Sequence, residues 1–176
     1  MNVKDLDLSS FKTKKVKDMS KMFNRCVSLE KLNISTFNTE NVTNMQFMFW
    51  KCASLEKLDL SHFLTGNVEN MQGMFSKCYK LKQLDIPNFN TEKVTTMYEM
   101  FHECESLENL NLKSFIVKNC KNMLGMFSDC TALVKLDLSN FDTTNIDDVS
   151  YLFSSSKKLK KIGVTTSDKR ILKYFN

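Results

Sequence analysis

The sequence predicts an α/β repeat solenoid: six 26-residue strand-turn-helix coils, stacked so that one face is a parallel β-sheet. Three observations predict it. One pattern recurs every 26 residues without an insertion, opening at Leu6, Leu32, Leu58, Leu84, Leu110 and Leu136, with a partial seventh unit at Ile162. No unit has enough apolar surface for a core of its own, whereas units stacked in register give continuous columns of Leu, Phe, Met and Cys. The chain has 176 residues, 42% apolar and 26% charged, which suffices for a single domain with a sizeable core.

Each unit divides into three parts. The first is a short strand, as in Leu29-Glu-Lys-Leu32-Asn-Ile34 and Leu55-Glu-Lys-Leu58-Asp-Leu60, where alternation puts Leu and Ile on one face and Lys, Asp or Asn on the other. Next comes a turn around a buried aromatic, Phe11, Phe37, Phe63, Phe89, Phe115 or Phe141, set among Ser, Thr and Asn. The third part is a short helix: Met45, Met48, Phe49 and Cys52 fall at i, i+3, i+4 and i+7, and Met71, Met74, Phe75 and Cys78 repeat them. Asp18, Asn44, Asn70, Thr96, Asn122 or Asp148 precedes each stripe, and all six are N-cap types. A helix this short needs packing against its neighbours. The solenoid is expected over 1–164 and a capping helix over 165–176, where Ile171, Leu172 and Phe175 close the core. The first unit has no cap of this kind and leaves an open edge.

With the columns laid out, Met48-Phe-x-x-Cys52-x-x-Leu55-x-x-Leu58-Asp-Leu60-Ser61-x-Phe63-x-Thr65-x-x-Val68 resembles the bacterial surface protein 26-residue repeat, the BspA-like leucine-rich repeat of mycoplasma lipoprotein type. The likeness runs from about Val3 to Gly163. It implies a right-handed leucine-rich-repeat solenoid, a surface-exposed or lipid-anchored setting, and adhesion or host-protein binding. Similar repeats occur in some protists and large DNA viruses. The best-known leucine-rich repeats place Asn at the buried turn where this chain has the Phe37 column. The backbone groups an Asn ladder would satisfy need other partners, and Ser35, Thr39 and their repeats are the candidates.

Five of the six cysteines, Cys26, Cys52, Cys78, Cys104 and Cys130, share one column, and Cys120 stands where Val42 and Val68 stand. That spacing lacks the close pairs of a zinc site, and parallel side-chain vectors suit disulfides poorly, so a ladder of buried thiols is expected. The strand-face column Asp7, Asn33, Asp59, Asp85, Asn111 and Asp137 would suit a calcium ladder. However, the neighbouring Lys31, Lys57, Lys135 and Lys161 favour a mixed Lys/Asp face, and no metal or cofactor is expected. His62 and His102 lie in different columns with no catalytic relay, and the four glycines form no phosphate loop, so the reading is non-enzymatic.

Residues that break the columns point to binding. Phe47 stands where other units have Lys21, Gly73, Glu99 and Gly125, and Trp50 where they have Asn24, Ser76, His102 and Ser128. The pair is either an exposed interface anchor or packs on itself or on a neighbouring coil. Tyr98 and Tyr151 are weaker candidates. The second candidate surface is the strand face at Lys31, Asn33, Lys57 and Asp59. The net charge of +5, carried almost wholly by Lys, is interleaved with acids and reads as a solvated surface, which disfavours nucleic acid.

The expected function is a protein-binding or adhesion module of a surface-type repeat protein, with a host or self protein as partner and no small-molecule substrate. The alternative is an assembly module stacking with other chains through the open end. No membrane span or signal peptide is seen, so the cell-surface or extracellular location rests on the resemblance and a cytoplasmic one stays open.

Overall fold

The computed structural model describes residues 2–175. Strands β1 (Asp5–Asp7), β2 (Lys31–Asn33), β3 (Lys57–Asp59), β4 (Gln83–Asp85), β5 (Asn109–Leu110) and β6 (Lys135–Asp137) recur at the 26-residue step. Leu58, Leu84, Leu110 and Leu136 face the core while their neighbours face solvent, as the alternation predicts. All pairings are parallel, with Leu6 opposite Leu32, Leu58 opposite Leu84 and Leu110 opposite Leu136. The expected single sheet is instead three: β1-β2, β3-β4 and β5-β6-β7, where β7 is Val164–Thr165. Strands of two or three residues make few ladder bonds each. At the β2/β3 seam side chains take over, His62 Nε2 meeting the Ile34 carbonyl at 3.0 Å.

Main-chain continuity lies where the sequence predicts helices, and those helices are not formed. Residues 45–52 and their equivalents make two successive four-residue turns, closed by Met48 N–H to Met45 O (3.2 Å) and Cys52 N–H to Phe49 O (3.1 Å). The third residue of each turn has positive φ, for example Phe47 (54°) and Lys51 (60°), as a type II turn requires. The corners of two such turns point inward at i, i+3, i+4 and i+7, the same stripe an amphipathic helix presents, so periodicity cannot tell them apart. The stack decides between them. The N–H groups of Met45, Phe47, Phe49 and Lys51 donate to the carbonyls of Asn70, Gln72, Met74 and Ser76 in the next unit, at 2.8–3.0 Å. Four such bonds recur at every junction from the first unit to the sixth. Two isolated helical turns would leave most of their N–H groups without a partner.

The predicted cap column keeps its chemistry in this different element. Asp18, Asn44, Asn70, Thr96, Asn122 and Asp148 form one parallel run of bridges through all six units. Each side-chain oxygen accepts from the N–H two residues on, at 2.7–3.3 Å, making Asx-type turns rather than helix caps.

Inside, Phe23, Phe49, Phe75, Phe101, Phe127 and Phe153 stack nearly parallel with centroids 5.4–5.7 Å apart. Tyr174 and Phe175 close this column against Phe153 at 5.5 and 5.3 Å. The second aromatic column is buried from Phe37 to Phe141, but Phe11 in the first unit is 56% exposed because no coil precedes it among the described residues. Thr39 supports the turn as expected: its hydroxyl accepts from Leu64 N–H (2.8 Å) and donates to Leu64 O (3.1 Å). Ser35 instead donates to Asn33 within its own unit (2.8 Å).

The cysteines are free thiols, and they do more than pack. Cys52, Cys78, Cys104 and Cys130 each donate to the carbonyl of the Phe one coil earlier, at 3.1–3.2 Å. Where Ser156 replaces Cys, its hydroxyl makes the same bond to Phe127 O. Burial pushes Cys78 and Cys130 up to about 12 and Cys120 up to about 11. Cys26, in the first unit, is half-buried. Iodoacetamide at pH 8 is therefore expected to modify Cys26 first, with the other five at least about a hundredfold slower because they react only through opening of the stack. Mass mapping of the alkylated native protein checks this.

At the C-terminal end the repeat slips. Ile162, the expected start of a seventh unit, is turned out to solvent in a 3₁₀ turn (Lys161–Gly163), and Val164 takes the place opposite Leu136. Gly163 permits the slip, since a Cβ there would come within 2.1 Å of Val134 O. Helix α1 (Lys169–Leu172) follows, a single turn continued by 3₁₀ residues Lys173–Phe175. Asp168 caps it and also accepts from the N–H and hydroxyl of Thr143, at 2.6 and 2.8 Å. Arg170 donates to the carbonyls of Thr143 and Ile146. Ile171 is fully buried. Among the described residues no helix is long and apolar enough to cross a membrane.

Candidate binding surface

Phe47 and Trp50 sit on the first of the two turns, Phe47 at its positive-φ corner and Trp50 donating its N–H to Phe47 O (3.2 Å). The left-handed corner throws the Phe47 ring across to the next unit, where Gly73 occupies the same column. A Cβ on Gly73 would lie 2.2 Å from a Phe47 ring carbon, so the ring fills the notch that the glycine leaves. Trp50 packs edge-on against Phe47 at 6.4 Å and 75°. Two cations flank the indole, Arg25 at 5.2 Å and Lys51 at 5.9 Å from its centroid. Both aromatics are half-buried. The structure thus joins the two sequence readings: the pair packs on itself and on a neighbouring coil, and still presents aromatic surface.

Arg25 and Lys51 carried no signal in the sequence beyond their shared column. That column reads Arg25, Lys51, Lys77, Glu103, Asp129 and Ser155, all at positive φ, so its charge changes sign along the stack. Where it changes, Lys77 pairs with Glu103 at 2.8 Å, and His102 Nε2 also reaches Glu103 at 2.8 Å. Burial opposes ionisation of Glu103, yet the Lys77 hydrogen bond and the His102 charge hold its carboxyl below the usual carboxylate range.

The four strand-face candidates are exposed: Lys31 and Asn33 in β2, Lys57 and Asp59 in β3. They straddle the seam between two sheets rather than the middle of one. Their polar groups are partly committed to local structure. Asn33 Oδ1 accepts from Ser35, and Asp59 Oδ1 from Ser61 N–H at 2.8 Å. Ser61, through hydroxyl and N–H, holds the Asp59 carboxyl below the ordinary value. Asp85 departs from the column because Pro87 has no N–H to give, and its carboxylate takes Gln83 Nε2 instead (2.9 Å). The ion pairs beside this face are Lys4–Glu30 and Lys82–Glu56, between units and one column before the expected Lys column, while Lys118–Glu92 links two units beyond the Phe89 and Phe115 turns. No hydrogen bond, ion pair or ring contact among the described residues joins the strand-face group to the aromatic pair.

Tyr151, a weaker candidate, is 66% exposed at the last positive-φ corner of the Phe47 column. Tyr98 is half-buried.

A family profile described as Mycoplasma protein of unknown function, DUF285, matches residues 1–85 and again 57–167. No curated protein matches, and no solved structure does.

Proposed function

The chain belongs to the DUF285 family, and on that premise we propose that it is a non-catalytic protein-binding or adhesion module. The finer reading is a BspA-like, leucine-rich-repeat solenoid of a surface-type protein, acting at the cell surface or outside the cell on a host or self protein. The observation that carries it is the Phe47–Trp50 pair, an aromatic anchor locked against Gly73 and flanked by Arg25 and Lys51. Aromatic and arginine side chains dominate the energetics of protein interfaces, and a preorganised anchor loses little entropy on binding. Every unit is tied to the next by main-chain bonds, so the anchor and the polar strand face are displayed on a rigid support.

The test is affinity capture from surface-protein extracts of host and source cells with wild type and Trp50→Ala, after thermal melts confirm that the variant is folded. Selective loss of a captured protein, with at least about tenfold weaker affinity when that protein is purified, is expected. An unchanged set removes the aromatic anchor. A second reading, assembly through the first unit, is supported by exposed Phe11, Met22 and Val27 on that edge. Sedimentation across a concentration series tests it, and a strict monomer excludes it.

A further inference from the structure

The charge of the chain is concentrated at one end. Residues 151–176 hold seven of the 25 basic residues and one of the 20 acidic ones, a net of +6, so residues 1–150 carry a net of −1. At that end lies a cleft of about 920 Å³ between the last turn pair and the C-terminal cap. Tyr151, Phe153 and Ser155 line one side, and Tyr174, Lys157 and Lys160 line others.

The first three occupy a telling register. One unit earlier, the N–H groups of Gly125, Phe127 and Asp129 donate to the carbonyls of Ser150, Leu152 and Ser154 at 2.9, 2.9 and 2.7 Å. Tyr151, Phe153 and Ser155 are the equivalent residues of the last unit, and among the described residues their N–H groups meet no acceptor. Tyr174 and Phe175 cover the Phe153 ring without supplying one. The cap therefore closes the apolar column and leaves the donor edge beside it open.

We propose that this cleft binds an extended acidic peptide segment of a partner protein, added as a further strand along Tyr151, Phe153 and Ser155. At the five internal junctions the acceptors are carbonyls on alternate residues of the next unit's turn pair, and an extended peptide likewise turns alternate carbonyls to one edge. The exposed ammonium groups of Lys157 and Lys160 select acidic side chains on that strand. Main-chain carbonyls fill the equivalent positions at all five internal junctions, which favours a polypeptide over a nucleic acid. The cleft is separate from the Phe47–Trp50 surface, so it stands or falls independently of the Trp50→Ala result.

The experiment titrates an acetylated, amidated decapeptide of alternating Glu and Thr into ¹⁵N-labelled protein. Saturable shifts at the amides of Tyr151, Phe153 and Ser155 are expected, with their hydrogen exchange slowed at least about tenfold. The Lys157→Glu/Lys160→Glu variant, altered at two exposed positions, keeps the spectrum of the first five units and binds about tenfold more weakly. A Lys/Thr decapeptide binds more weakly still. The proposal is overturned if millimolar Glu/Thr peptide leaves the three amides unshifted, or if a ten-nucleotide oligothymidylate shifts them and the peptide does not. It is also overturned if the three amides become protected in the protein alone as its concentration rises, because the occupant is then a second copy.

Discussion

Replacing Phe75 by alanine is expected to lower the unfolding free energy by about 3–5 kcal/mol, the usual range for a fully buried Phe whose site cannot collapse. Phe75 is wholly buried and stacked on both sides, at 5.7 Å on Phe49 and 5.5 Å on Phe101. The hole would be flanked by rings that cannot move in, because each is held by main-chain bonds at both faces of its own unit. In a stack where units contact only their neighbours, the loss falls on two adjacent junctions and divides the array. Against a typical total of about 5–15 kcal/mol, this uncouples the two halves or unfolds the chain. The same change at Phe23, which stacks on one side only, is expected to cost about half as much. Paired denaturant titrations of the two variants check both the size and the ratio.

The second large effect is expected at Gly73. Alanine there meets two obstacles: a backbone at φ +56° and the Phe47 ring 2.2 Å from the new Cβ. The conformation costs about 1 kcal/mol for a residue with a Cβ, and the overlap adds about 1–3 kcal/mol as the ring is pushed out. Gly73→Ala should therefore lose about 2–4 kcal/mol, and Phe47→Ala in the same chain should restore the steric part. A double-mutant cycle isolates that coupling. Gly125→Ala is the control, with similar φ (+61°) but only ordinary contacts nearby, and should show the conformational cost alone.

The period, the register, the Leu and Phe columns and nearly every buried position could be read from the sequence, because a fixed repeat forces equivalent residues into equivalent environments. The Met45–Met48–Phe49–Cys52 stripe was legible as an inward face but not as an element. Its spacing suits a helix and a pair of turns equally, and the inter-unit bonds that decide between them have no sequence signature of their own. Two faint signals existed. Gly73 and Gly125 stand where a helix interior would disfavour glycine, and Asx residues precede five of the six stripes, with Thr96 before the other. The Phe47–Trp50 pair stood out because it broke its columns. Its partners Arg25 and Lys51 did not, since their closeness to the indole depends on left-handed corners that no residue type announces. The C-terminal slip was hidden for a similar reason: Ile162 fits the Leu column by type, and only the close approach of Gly163 to Val134 O shows why it is passed over.

The four N–H groups at each junction all point the same way, from one unit toward the next, and among the described residues only one or two main-chain bonds on that side of each junction run back, as in Thr43 N–H to Lys17 O. Peptide dipoles of about 3.5 D so aligned add along the stack as they do along an α-helix. A protein with almost no helix therefore has a macrodipole parallel to its long axis. Its positive pole is at the sixth unit, where seven basic residues also gather. The molecule is electrically polar from end to end, and it should orient in an applied field or before a charged surface with its C-terminal end toward negative charge.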